Sequence, residues 1–263
     1  MGVSSQVGSA IARMLANLGY RVICADPDKT KVTALAASLG PSHAAFQLDP
    51  LCKESLAIAG IKLPMLAPLG LDVVINAIGG NNRKSFELHA SSDIKQIVES
   101  NFITATKLLK LCLPCMKHRG THAKRQFVQL NGFVNARVAF PYYSIDVAVR
   151  SATRTLFESV QRELSLEGHK NIHLKIFCPA IAKSVSPQSF LFLRKKPYIP
   201  TAQSHEMALA LFRFMAGKSH VGAMGNGLLS LVDFMSPKLA SYLWFGKVGQ
   251  KMEPAFNQVF SSK

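Results

Sequence analysis

Residues 71–80, LDVVINAIGG, constrain the fold more than any other stretch of the chain. Apolar residues follow one another there instead of alternating with polar ones, so a strand built from them must bury both faces. Strands of that kind sit inside parallel sheets that carry helices on both sides. Shorter β-like runs recur at 20–26 (YRVICAD), 44–49 (AAFQLD), 127–130 (FVQL), 171–179 (NIHLKIFCP) and 221–232. Segments of helical character separate them, at 28–39, within 50–69, at 94–118, on the approach to Leu164 and at 202–216. Strand and helix in regular alternation predict an α/β fold, a doubly wound parallel sheet with helices on both faces. A chain of 263 residues with 48% apolar content suits a single domain over 1–263.

The chain opens MGVSSQVGSAIARMLANLG. Ile11, Leu15 and Leu18 have helical spacing, and Gly2 and Gly8 bracket a turn just ahead of them. Glycines in such a turn let the backbone approach a pyrophosphate at a helix N-terminus. Asp26 stands at the end of the next strand, roughly 20 residues on, where a carboxylate can bond an adenosine 2′-hydroxyl. That carboxylate favours NAD(H) over NADP(H), whose 2′-phosphate it repels. The plainer alternative for Asp26 is an N-cap on the helix at 28–39.

These landmarks and the segment 127–164, FVQLNGFVNARVAFPYYSIDVAVRSATRTLFESVQREL, resemble the short-chain dehydrogenase/reductase family. The resemblance implies a Rossmann-type sheet and runs over about the whole chain. It makes Gly2, Ser4, Gln6, Val7 and Gly8 the counterpart of the family's Thr-Gly-x-x-x-Gly-x-Gly turn, with Gln6 in place of the middle glycine. Asp49 resembles the acidic residue that contacts the adenine amino group, and Asn76 and Gly79 keep half of the family's Asn-Asn-Ala-Gly. Pro179 and Ile181, with Ser184, stand where the nicotinamide carboxamide is contacted. Asn101 matches the tetrad residue that holds a relay water, with a structural brace as the other reading. In this family the glycine-rich turn follows the first, central strand, whereas here it begins at residue 2. The expected sheet therefore has its first strand absent from the sequence, and a chain that starts late, a partner or a rearrangement accounts for it.

The family's chemistry rests on a Tyr, a Lys one turn later and a Ser upstream. Tyr142 or Tyr143 supplies the Tyr, but the Lys slot then falls on Asp146 or on Val147. No Lys lies between Lys124 and Lys170, and the Ser slot holds Leu130, Asn131 or Gly132. An isolated Tyr titrates near ~10 and needs a neighbouring cation to work at neutral pH, and an adjacent Asp acts the wrong way. The expectation is a vestigial, catalytically degenerate member with weak or no NAD binding, serving as a structural or regulatory subunit. The alternative is an NAD-dependent oxidoreductase of a lipophilic alcohol or carbonyl, with Arg137 or Lys183 replacing the Lys.

Charge and cysteine content bear on surroundings. The chain has 31 Lys and Arg against 15 Asp and Glu, a net charge of +16, which draws it to anionic surfaces or acidic partners. No basic run is dense enough for a nucleic-acid motif, and KHRGTHAKR at 117–125 reads as a solvated connection. The charge favours a mitochondrial setting and a multisubunit assembly or homo-oligomer, with a cytoplasmic or peripheral membrane site as alternatives. The segment 234–263, with Phe234, Leu239, Leu243, Trp244 and Phe245 among lysines, reads as an amphipathic extension that docks on its own domain, a partner or a membrane face. Five widely spaced Cys argue for a reducing compartment, and Cys112-Leu-Pro-Cys115 lies inside a helix pattern and reads as core. No metal site is expected.

Overall fold

The computed structural model describes residues 1–118, 123–131, 142–179, 181–182, 201–217 and 221–223. The expected Ser-slot position Gly132, the candidate cations Arg137 and Lys183, Ser184 and the extension 234–263 lie outside the described residues.

Six strands run parallel in two half-sheets. In the first, β1 (Ile23–Asp26) pairs with β2 (Ala44–Gln47). In the second the order is β3 (Val73–Asn76), β4 (Arg125–Leu130), β5 (Ile172–Cys178) and β8 (Val221–Ala223). A separate parallel pair joins β6 (Ile181–Ala182) to β7 (Thr201–Ala202). β1, β2, β3 and β5 are shorter than the runs expected from sequence, whereas β4 begins two residues earlier, at Arg125.

Met1 and Gly2 stitch the two half-sheets together. The Met1 amine donates to Ile75 O at 2.8 Å, and Ala77 N–H donates to Met1 O at 2.9 Å. On the other flank Gly2 N–H donates to Ala25 O at 3.0 Å. Gly2 has φ 85°, and a Cβ on it would stand 2.8 Å from the Ala77 carbonyl carbon. Only glycine serves at so close an approach.

Helices cover both faces of the sheet. On one side lie α3 (Lys53–Leu66), α5 (Thr104–Lys117) and α6 (Ser144–Leu166). Their Leu63, Leu109, Met116 and Phe157 pack on Phe127 and Leu174. On the other side α1 (Gln6–Asn17) and α7 (Ser204–Ala216) bring Ile11, Leu211 and Met215 onto Val128 and Phe177. Neighbouring residues 127 and 128 thus enter opposite cores, which is why the runs read as continuously apolar. Cys112 and Cys115 are free thiols buried in α5, and burial pushes the Cys112 thiol up to about 12.

The expected helix at 94–118 is broken into α4 (Ser91–Val98), a π-helical turn at Glu99–Ile103, and α5. The expected cap also moves. The N-cap of α2 (Lys29–Leu39) is Asp28, which accepts from Lys31 N–H at 3.1 Å, rather than Asp26. Asp26 sits too early to reach the first turn and faces the glycine-rich turn instead.

Candidate functional site

The C-terminal ends of β1, β3, β4 and β5 meet the N-termini of α1 and α6, the place where ligands settle in open α/β sheets. The residues there form two groups. One is built around the glycine-rich turn, the other around Tyr143.

In the first group Ser5 is the N-cap of α1. Its Oγ accepts from Gly8 N–H at 3.0 Å and its hydroxyl donates to Gly2 O at 2.8 Å. A Cβ on Gly8 would lie 2.1 Å from Gly2 O, so this turn closes only over glycine. Asp26, buried, accepts from Ser4 N–H at 3.0 Å and from Asp28 N–H at 3.2 Å. Its carboxylate fixes the turn to the end of β1. Gln6 is exposed in the first turn of α1, Val7 is half-buried beside Ala202 and Met207, and Ser4 Oγ is buried with no hydrogen-bond partner among the described residues. Asp49 Oδ1 accepts from Leu51 N–H at 2.9 Å and shapes its own turn.

The turn after β3 connects the two groups. Asn76, fully buried, donates to Gln129 Oε1 at 2.7 Å and accepts from Ile78 N–H at 3.1 Å. Asn101, in the π-helical turn, accepts from Gly80 N–H at 3.2 Å and donates to Gly80 O at 3.0 Å. It donates to Ile97 O as well, so its amide braces the loop against the helix. A Cβ on Gly79 would meet Asn101 Oδ1 at 2.9 Å, which explains a glycine there. Pro179 is half-buried after β5, and Ile181 pairs with Thr201.

In the second group the two tyrosines separate. Tyr142 takes φ 65°, a left-handed conformation uncommon for a non-glycine residue, and its carbonyl accepts from Lys84 N–H at 3.2 Å. Tyr143 is the N-cap position of α6 and is buried. Burial pushes its phenol up to about 12, with Asp146 adding to the rise and Arg83 and Arg150 opposing it. Asp146 is 1% exposed and accepts from Asn82 N–H at 3.3 Å. Arg150, one turn later, lies 3.7 Å from the Asp146 carboxylate. Its guanidinium also donates to Gly80 O at 3.0 Å and to Asn131 O. Burial raises the Asp146 carboxyl and lowers the Arg150 guanidinium, and each opposes the other's shift.

Sequence reading missed Arg150. It stands four residues after Asp146, an i, i+4 spacing visible in the sequence, but such pairs are ordinarily solvated surface pairs. Only the packing of α6 under the β3 and β4 ends buries this one. Val147, the other Lys-slot residue, is half-buried. At the Ser slot the described Leu130 and Asn131 offer no hydroxyl. Asn131 is buried and its side chain donates to Arg150 O at 3.4 Å. Among the described residues no group of three His, Cys, Asp or Glu is placed to hold a metal ion, and no helix is long and apolar enough to cross a membrane.

Known proteins carry the same frame. A family model described as short chain dehydrogenase matches residues 1–190. The bovine protein "Dehydrogenase/reductase SDR family member 7B" is 26% identical over 172 residues, which span 62% of this chain and 51% of that protein. The chain thus covers about half the length of that relative. A solved short-chain dehydrogenase from Streptomyces avermitilis superposes with a TM-score of 0.74 at 20% identity, over 95% of both chains. An alcohol dehydrogenase from the archaeon Thermococcus sibiricus, solved with 5-hydroxy-NADP, gives 0.68 at 22% identity over 85% of this chain and 92% of its own. At these identities the two solved structures speak for the fold alone.

Proposed function

This chain belongs to the short-chain dehydrogenase/reductase family, and on that premise we propose that it keeps the nucleotide-holding half of the family's site and has lost the reactive half. A nicotinamide cofactor is in keeping with the family. The adenosine and pyrophosphate side fits it. The tight Gly2–Gly8 turn, the α1 N-terminus, the unpartnered Ser4 Oγ and the exposed Gln6 would hold phosphates, and Asp26 and Asp49 would meet the adenosine, with Asp26 favouring NAD(H). The nicotinamide ribose side does not fit, because its Lys position is Asp146 counted from Tyr142 or Val147 counted from Tyr143, and neither is a cation. When bound, the group supplies hydride chemistry, and the described residues offer no proton donor tuned to match.

The observation that carries the reading is the buried Asp146–Arg150 pair beside Tyr143, where the Lys slot itself holds Asp146 or Val147 and no cation. A proton donor for carbonyl reduction needs a pKa near working pH. Tyr143, pushed up to about 12, holds its proton too firmly to exchange it readily. With no hydroxyl at Leu130 or Asn131, no described side chain there steadies a developing oxyanion, a loss of about 10²–10³ in rate by itself. We read the protein as a structural or regulatory subunit, in a mitochondrial assembly where the +16 charge meets acidic partners.

Two measurements test it. Steady-state oxidation of NADH and NADPH over a panel of aldehydes, ketones and ketosteroids is expected to stay at background. In titration calorimetry ADP-ribose and NAD are expected to bind within about threefold of one another, since the nicotinamide end adds no contact energy. Turnover that disappears in Tyr143→Phe would reverse the reading.

One feature favours a second reading, an NAD-dependent oxidoreductase of a lipophilic alcohol or carbonyl. Arg83 and Arg150 both act to lower the Tyr143 pKa, and so supply cations where the sequence offers no Lys. Burial outweighs them in the chain as it stands, which ranks this reading second.

A further inference from the structure

A helix on the surface of a sheet ordinarily has one apolar face and one polar face. The helix α3 departs from this. Ala59 and Leu63 are buried toward the sheet, with Leu56 and Leu66 partly buried beside them. The opposite face carries Ile58, Ile61 and Met65, at spacings i, i+3 and i+7, and these are 50%, 71% and 74% exposed. Ala57, Gly60 and Pro64 stand among them and are exposed as well. From Ala57 to Leu66 the only charged residue is Lys62. A helix apolar on every side is one that other matter covers on every side. Among the described residues nothing covers the outer face of α3.

Lysines edge this face. α3 itself carries Lys53 and Lys62, and α5, which packs beside it, carries the half-buried Lys107 and the exposed Lys110. None of the four makes an ion pair among the described residues. Lys117, at the far end of α5, is different and pairs with Glu167 at 2.5 Å. The one acidic residue on the two helices is Glu54, in the first turn of α3.

We propose that the outer face of α3 docks on an anionic lipid bilayer. Ile58, Ile61 and Met65 enter the boundary between headgroups and acyl chains, and the four lysines meet the lipid phosphates. At 14 residues α3 is too short to cross a bilayer, so it lies in the plane of the surface. Lysine stems run along apolar surface while their ammonium groups reach outward, which suits that depth. Charge selects this occupant over others. A second copy of the chain would set unpaired lysines and a net +16 against the same. The segment 234–263 is itself basic, with Lys238, Lys247 and Lys251. An acidic protein would match the charge, but the face has none of the Trp, Tyr and Arg that anchor protein interfaces, and lysine is depleted from such interfaces. Hydrocarbon side chains edged by lysine are what an interfacial helix presents to lipid.

The test is flotation of the full 263-residue chain with vesicles of phosphatidylcholine alone, or of phosphatidylcholine mixed with phosphatidylserine. The chain is expected to float with the mixed vesicles only. Ile61→Ser with Met65→Ser leaves the charge untouched and is expected to weaken partition by about tenfold or more. Leu166→Ser removes an equally exposed leucine from the end of α6 and is expected to change nothing. Lys62→Gln with Lys110→Gln is expected to lose about fivefold for each lysine. The same change at Lys29 and Lys31, exposed on α2, is the matched control and should lose far less. All these side chains lie at the surface, so Tm should hold; if the serine pair lowers it, the two lysine pairs decide. A serine pair that floats like the native chain overturns the proposal and moves the contact to residues 234–263 or to charge alone. Equal losses in the two lysine pairs overturn it too. So does a native chain that floats with neither vesicle. In that event a dimer that the serine pair splits places a second copy on the face, and a monomer leaves it to an acidic protein. The inference goes beyond the function proposed above, and flotation needs neither nucleotide nor carbonyl, so the two fail separately.

Discussion

The two ends of the crest of the sheet hold their buried carboxylates differently. At the glycine-rich turn Asp26 receives two backbone N–H groups, from Ser4 and Asp28, and its charge is used to hold a loop that opens toward solvent at Gln6. At the tyrosine end Asp146 receives one N–H group, from Asn82, and leans on a guanidinium that is itself buried. The first arrangement leaves a helix N-terminus free to meet an anion. The second closes on itself, since Arg150 already serves Gly80, Asn131 and Asp146. On the function proposed above, the first end is the nucleotide cradle and the second an internal brace.

The contrast can be broken first at the turn. Gly8→Ala places a Cβ 2.1 Å from Gly2 O, against backbone that cannot give way. A loss of about 4 kcal/mol or more is expected by urea denaturation, with nucleotide binding lost as well. Gly19→Ala is the control. Gly19 also has positive φ, 83°, but meets nothing within 4 Å, so it should cost only about 1 kcal/mol.

The tyrosine end breaks next. Arg150→Met leaves the Asp146 carboxylate buried without its cation, at a cost of about 3 kcal/mol. The double variant Arg150→Met with Asp146→Leu should recover most of that. If the double variant is as unstable as the single one, the pair is not what ties the β3 loop to α6. Ser5→Ala should cost about 1 kcal/mol, because the Gly8 N–H loses its cap at an exposed helix start.

The smallest effect is in titration. The ordinary aspartate value is near 3.8, and the structure moves two carboxyls in opposite directions from it. Lys31 N–H lowers Asp28, whereas burial raises Asp146. Asp146, raised, binds its proton more readily in the folded state. Its contribution to stability is full below about pH 3.8 and is lost as pH rises through its folded value. Asp28 has the opposite sign, its contribution being present above its ordinary value and lost as pH falls through the lowered one. Carboxyl chemical shifts followed from pH 2 to about pH 7 should separate the two, and Arg150→Met should move Asp146 further up.

What the sequence determined by itself was whatever depends on neighbours along the chain. The apolar run at 71–80 required a strand buried on both faces, and Val73–Asn76 lies within it. Gly2 and Gly8 required a tight turn before a helix, and the lack of Lys between Lys124 and Lys170 removed the family's usual cation. Only the tertiary structure decided which tyrosine is buried, that Arg150 reaches under two strand ends, and that Met1 and Gly2 bind two half-sheets across a crevice. Periodicity reports which face of an element is apolar. It does not report what lies across from that face, and the energy of a charge or a backbone edge is set by the groups opposite it and by how much water they exclude.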